Sequence, residues 1–371
     1  MMTAVHVSVG LAANPGDVER QPSAVIDRCR AEFDRLSARG RALLGGELAI
    51  MGGAMTWVSE RNLVSAISNA GGFGVIASGS LSPESLSAEI AAVKSLTTRP
   101  FGVNLITLHP RLDELIEVCA EHRVGHVVLA GGLPSVAAMR RIRENGARVL
   151  CFASALGFAR KLVRMGADAI VIEGSEAGGH IGPVSTGVLA QEILPHLTEI
   201  PVFVAGGIGR GEAILAYLEM GAAGVQLGTR FVCARQSIAH PRFKQAFIRA
   251  SARDAIPSTQ LDPRFPVIPV RALANPATER FLARQREIIE RFASGELSQK
   301  AAQLEIEHFW AGALRRAVIE GDIESGSLMA GQSVGFVTRE QTVAEILAEL
   351  VDQAVGVLAL RAGRKHDRCI S

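Results

Sequence analysis

Midway along the chain, Pro201-Val202-Phe203-Val204-Ala205-Gly206-Gly207-Ile208 is an apolar run that ends in two glycines. Glycine has no Cβ, so backbone amides at such a turn can approach an anion closely, and Glu212 opens a helix just beyond. The next unit repeats the device: Gly224-Val225-Gln226-Leu227 leads to Gly228-Thr229-Arg230, which offers another glycine amide and a hydroxyl donor. One glycine after a strand is ordinarily just a tight turn. Two such turns on adjacent strands point to a phosphate cradle.

A second focus is Ile172-Glu173-Gly174-Ser175-Glu176-Ala177-Gly178-Gly179-His180-Ile181-Gly182. A lone histidine is more often a surface or core residue than a catalyst. His180, however, sits between glycines that set tight turns and near two carboxylates, which suits an imidazole titrating near neutrality that acts on a substrate or orients it. Glu173 either anchors a cofactor hydroxyl or sits solvated, and Glu176 is evenly balanced. Asn104 interrupts the apolar run Phe101–Ile106, and a buried amide needs partners, so it is either a satisfied core residue or a contact for a flat polar ring. Met51-Gly52-Gly53-Ala54-Met55-Thr56-Trp57 sets glycine-freed backbone beside large apolar side chains, a combination able to cover one face of a flavin. His109, His122 and His126 lack metal-ligand spacing, and no metal site is expected.

These residues hang on a regular pattern. Short Val- and Ile-rich runs occur at Leu48–Met51, Phe73–Ala77, Phe101–Ile106, His126–Ala130, Arg148–Phe152, Asp168–Ile172, Pro201–Ala205 and Gly224–Leu227, with amphipathic stretches between them. Strands that are apolar along most of their length must be covered on both faces. Right-handed crossovers then leave an open doubly wound sheet or a closed barrel. Eight units, without G-x-G-x-x-G after the first strand, favour an α/β fold of the (β/α)₈ TIM-barrel type. After the eighth strand come a proline-rich stretch, Ala239–Pro276, and a polar helical stretch from Thr278 to about Glu320. We expect a smaller, mainly helical insertion over residues 239–320 that covers the substrate, in a barrel made of residues 41–238 and 321–371. Residues 1–40, with a basic helical stretch Ala24–Arg39, are expected to be an extension at the barrel's bottom or a partner contact.

Hydrophobic residues make up 48% and charged residues 20%, with Lys+Arg 39 against Asp+Glu 37, an ordinary globular balance that does not suggest nucleic acid. The five cysteines form no CxxC pair, which argues against disulfides and zinc. No apolar run reaches the ~18 residues of a membrane helix, and the run Val5–Ala13 lacks a basic segment before it, so a cytoplasmic protein is expected.

With these features in place, the chain resembles the nitronate monooxygenase (2-nitropropane dioxygenase) family, which includes the flavin-type enoyl-acyl-carrier-protein reductases. The matching segments are Gly53–Val58, Ser68–Gly74, Phe101–Asn104, Glu173–Gly182, Ala205–Ile208, Gly228–Phe231 and Gly326–Gly335, in the family's order. The resemblance implies FMN, with Asn104 against its ring, Gly178 and Gly179 along it, and Gly206, Gly207, Gly228 and Thr229 at its phosphate. It also implies that Gln332 lies near the flavin and His180 faces the substrate. Gly52-Gly53-Ala54-Met55 stands where the family usually has Gln-Gly-Gly-Met, so an amide beside the cofactor is missing. The activity implied first is oxidation of alkyl nitronates with molecular oxygen. Alternatives are enoyl-thioester reduction with NADH or NADPH, in which acyl carrier protein would be a partner, and NAD(P)H:quinone reduction. Val270-Arg271-Ala272, Ala311–Leu314 and Gly321–Gln332 resemble the reductases especially. The expected partner is a small-molecule substrate, and a homodimer is allowed.

Overall fold

The computed structural model describes residues 23–267 and 269–368; the run Val5–Ala13 and the first part of the expected N-terminal extension lie outside the described residues. Among the described residues, parallel strands β1 (Ile50–Gly52), β2 (Gly74–Ala77), β3 (Phe101–Ile106), β4 (His126–Ala130), β5 (Arg148–Ala153) and β6 (Ala169–Glu173) begin a barrel. The intervening β7 (Gly179–His180) belongs elsewhere, and β8 (Val202–Ala205) and β9 (Gly224–Leu227) complete the eight. The sheet order is β1-β9-β8-β6-β5-β4-β3-β2. Closure comes at Phe73, whose N–H donates to the Ile50 carbonyl at 2.9 Å and whose carbonyl accepts from the Gly52 N–H at 2.9 Å. The expected (β/α)₈ barrel is therefore observed, with strand limits within two residues of the sequence pattern.

Successive strand residues face opposite sides, so each strand serves two cores. Ile170, Ile172, Val202, Val204, Val225 and Leu227 face the outer helices, while Val171, Phe203, Met51, Val75, Val128 and Leu150 fill the interior. The bottom is sealed by the helix Ala38–Leu44, whose last residue, Leu44, belongs to the interior cluster. That helix stops because Gly45 adopts a left-handed conformation (φ 72°) and returns its N–H to Arg41. Continuing the inward alternation upward brings Asn104, Phe152, Glu173 and Gln226 to the C-terminal mouth. Glu173 and Gln226 flank Ala205 at one level of the wall.

The insertion carries helices Pro276–Ala293 and Gln299–His308 around its own cluster of Phe265, Phe281, Ile288, Ala302 and Ile306. Asn275 caps the first of these helices, accepting from the Thr278 N–H, with Pro276 at the first helical position. The helix Pro241–Arg249 instead packs Phe243 and Phe247 into the large barrel core. One feature adds to the mainly helical expectation: β10 (Ala255–Pro257) and β11 (Val270–Leu273) form an antiparallel sheet in the order β10-β11-β7. The insertion thereby reaches across to the His180 loop.

Because Phe203 is fully enclosed in the barrel interior, Phe203→Ala should lower unfolding stability by about 3–5 kcal/mol in urea titration. A loss below ~1 kcal/mol would mean that the interior is not packed as described.

Candidate active site

The mouth holds polar groups that the protein leaves unmatched. Glu173 ends β6, has no hydrogen-bond or ion-pair partner among the described residues, and is raised by burial to a pKa of about 7. Gln226 is buried on β9 with its side-chain amide likewise unpartnered among the described residues. Asn104 is half satisfied: its Nδ2 donates to the Val128 carbonyl at 3.0 Å, while Oδ1 accepts nothing among the described residues. All three side chains are inward-facing at the same end of the barrel, where their free atoms are left to solvent or a ligand. Glu173 is half-buried and unpaired among the described residues. Gln226 escaped the sequence reading, although a lone amide at an inward position of an apolar strand is the signal that singled out Asn104.

At Gly52, where the family has glutamine, a Cβ would face outward and meet Ile67 Cδ1 at 2.5 Å, whereas Gln226 Nε2 lies 3.3 Å from where a Cβ on the inward-facing Gly53 would stand. The Gly53-Ala54-Met55 loop is held firmly: the Ser59 hydroxyl donates to the Gly53 carbonyl at 2.8 Å and accepts from the Met55 N–H at 2.9 Å. Trp57, at the tip of this loop, takes a left-handed conformation (φ 67°), and Arg315 of the insertion lies 5.8 Å from its ring. A bulky residue held there is strained, a feature that concentrates at binding sites.

His180 is placed by backbone pairing. It sits opposite Val270, Gly179 sits opposite Arg271, and the Ile181 N–H donates to the Pro269 carbonyl at 3.0 Å. Gly179 is glycine because its φ is +80°. The His180 side chain makes no hydrogen bond among the described residues and stays exposed at the edge, yet the surrounding protein disfavours its charged form and lowers its pKa. Partial burial of the imidazole thus favours its neutral form. The two carboxylates near it in sequence do not pair with it, contrary to the sequence expectation. Glu176 instead accepts from the Thr186 N–H at 2.8 Å and the Thr186 hydroxyl at 2.9 Å, fixing the start of the helix Thr186–Ile193. Arg271 secures the arrangement from β11. Its buried guanidinium donates to the Ser175 carbonyl at 2.8 Å and the Ala255 carbonyl at 2.5 Å.

Gly178 has a different reason. A Cβ there would meet the Gly331 nitrogen at 2.5 Å, so the glycine lets Met329–Gln332 lie against the loop. The Gln332 N–H donates to the Glu176 carbonyl at 2.9 Å, and the Gly331 N–H donates to the Thr229 hydroxyl at 3.0 Å. Thr229 keeps its own O–H to donate. Gly228 places Met55 beside the same turn, 3.5 Å from its would-be Cβ.

At the other turn, Gly206 (φ 97°) and Gly207 (φ 71°) are both left-handed, and a Cβ on Gly207 would press on Glu176 at 2.9 Å. The Gly207 and Ile208 N–H groups meet no acceptor among the described residues. They line a cavity of about 330 Å³ with Gly206, Glu176, Tyr217 and Gln332. At the helix start expected to join this cradle, the Gly211 N–H donates to Gln353 Oε1 at 2.7 Å and Glu212 pairs with Arg210, while Ala213, whose N–H meets no acceptor among the described residues, lines the same cavity. An anionic group at the turn, joined to a flat polar ring over the mouth, would satisfy both ends, and FMN has that chemistry.

Polar groups gathered at the C-terminal mouth of a closed β/α barrel mark a barrel enzyme. The chain belongs to the nitronate monooxygenase family, whose profile matches residues 41–353, and the family is one of oxidoreductases. It is 30% identical to a (3aS,4S,5R,7aS)-5-hydroxy-7a-methyl-1-oxo-octahydro-1H-indene-4-carboxyl-CoA dehydrogenase of Mycobacterium tuberculosis, over 84% of this chain and 94% of that one. FabK from Thermotoga maritima superposes with a TM-score of 0.78 at 36% identity, covering 88% of this chain and 98% of that one. A nitroalkane oxidase from Streptomyces ansochromogenes gives 0.70 at 26% identity, covering 87% and 99%.

The state of Glu173 is open to measurement in the ligand-free chain. Its folded pKa of about 7 lies above the ordinary 4.5, so its contribution to stability is fully present below pH 4.5 and is lost as pH rises through 7. Glu173→Gln should match the parent at pH 4.5 and exceed its stability at pH 8 by on the order of 2 kcal/mol. Parallel stability profiles for the two proteins would show that the carboxyl is solvated.

Proposed function

We propose that the chain is an FMN-dependent oxidoreductase that oxidises alkyl nitronates with molecular oxygen. The observation that carries the reading is the pairing of two unmet needs on one barrel face: the unpartnered Glu173, Gln226 and Asn104 Oδ1 at the mouth, and the free amides of Gly207 and Ile208 at the turn. FMN, when bound, supplies the reversible electron acceptor that the side chains lack. Thr229, Gly206, Gly207 and Gly228 would hold its phosphate end. Gly178, Gly179 and Gln332 would lie along it, and Gly53, Ala54 and Met55 would cover one face.

His180 would meet the substrate. A neutral imidazole offers one donor and one acceptor, so its N–H can hold a nitronate oxygen. Protonated Glu173 would donate a hydrogen bond inward. The sheet β10-β11-β7 would cover the reacting carbon from one side.

A second reading, NAD(P)H-dependent chemistry on an acyl thioester, is favoured by the similarity to a carboxyl-CoA dehydrogenase. There His180 would donate to the thioester carbonyl. NAD(P)H:quinone reduction on the same scaffold differs only in the final acceptor.

The purified chain should be yellow and release FMN on denaturation, and Gly207→Asp should abolish retention by setting a carboxylate against the phosphate. His180→Ala should keep FMN and lose activity by roughly 10²-fold or more. Anaerobic mixing decides the substrate: propyl-2-nitronate should discharge the yellow colour, with oxygen uptake on aeration, and NADH and NADPH should act slowly or not at all. Rapid bleaching by a nicotinamide, reversed by crotonyl thioester or by a quinone but not preceded by any nitronate response, would replace the first reading with the second or the third.

A further inference from the structure

We propose that the hydroxyl of Tyr217 is a direct ligand of the cofactor's phosphate, an assignment that rests on the FMN reading above. Tyr217 lies on the helix Gly211–Glu219, which begins three residues after Ile208. Its ring packs against the outer core, yet the residue lines the cavity that Gly206, Gly207 and Ile208 open onto. Helical side chains lean toward the N-terminus of their helix, so the phenol reaches back to the glycine turn. Ala213, one turn earlier on the same face, also lines the cavity and is small enough to leave that path open.

The hydroxyl has no hydrogen-bond partner among the described residues. A half-buried tyrosine ordinarily finds a partner for its O–H, and the polar groups that share its cavity are the unpartnered amides of the turn, Gln332, Thr186 and Glu176. Glu176, which shares the cavity, already has an oxygen engaged by Thr186. Burial and Glu176 both raise the Tyr217 pKa, so the phenol keeps its proton and can donate. The set of donors becomes two amides and one phenol, matched to a dianion rather than to a neutral group.

Two flavins that differ only at the phosphate test the contact. Dissociation constants of FMN and riboflavin are measured by flavin fluorescence on the full-length chain stripped of bound ligand, for the parent and for Tyr217→Phe. Loss of a hydrogen bond to a charged group should weaken FMN roughly tenfold or more and leave riboflavin unchanged. The chain has a single tyrosine, so ¹³Cζ-tyrosine labelling of the unmutated protein gives one resonance, which should shift with FMN and stay put with riboflavin. Equal weakening of both flavins, or an FMN affinity that ignores the substitution, would remove this contact while the cofactor reading stands. A parent chain that binds neither flavin would sink that reading, and this contact with it.

Discussion

A closed parallel barrel uses its backbone hydrogen bonds within its own wall, so a polar side chain pointing inward at the mouth has little main chain left to bind. The site depends on that constraint. Below the mouth the interior is solved with Met51, Phe73 and Phe203, which need no partners. At the mouth the same alternation delivers Glu173, Gln226 and Asn104, and only Asn104 Nδ2 finds a carbonyl. The fold leaves the remaining polar atoms to solvent or to a ligand. Such a carboxyl, its pKa raised by burial to about 7, is unsuited to stabilising a fold and, while protonated, suited to donating a hydrogen bond.

The second requirement is a fixed histidine, and the barrel alone does not provide one. His180 lies in a glycine-rich loop with little side-chain anchorage of its own, and it becomes a strand only because β11 of the insertion pairs with it. Arg271 makes that pairing durable by bonding to carbonyls on both sides, Ser175 in the loop and Ala255 on β10. It forms no ion pair with a carboxylate among the described residues, so its burial is compensated by carbonyl oxygens. An arginine fork suits that task, since two of its donors point in different directions from one rigid plane. Small displacements of the insertion would therefore be transmitted to the imidazole.

Much of this was legible in the sequence because the strands are short, β-branched and glycine-terminated, and those signals are local. The glycines at positions 206 and 207 show why such reading works: both need positive φ, which side-chain-bearing residues resist. The features that stayed hidden are non-local. Val270 pairs with His180 across a long stretch of chain, and no local pattern announces that a four-residue run in a proline-rich insertion will do so. Gly178 looked like a cofactor contact but is dictated at least as strongly by Gly331. Glu176 looked like a neighbour of the imidazole but serves Thr186, because the loop turns between them. Gln226 lies within an apolar strand, yet inward parity marks it as clearly as Asn104.

The central claim is that the unmatched polar groups of the mouth and the free amides of the glycine turn belong to one ligand. A crystal structure of the chain reconstituted with FMN tests it most directly. The account predicts the flavin ring over the mouth, with a polar ring atom within hydrogen-bond distance of Gln226 or Glu173 and the phosphate on the Gly207 amide. Flavin bound elsewhere, with Glu173 and Gln226 satisfied by each other or by ordered water, would contradict it.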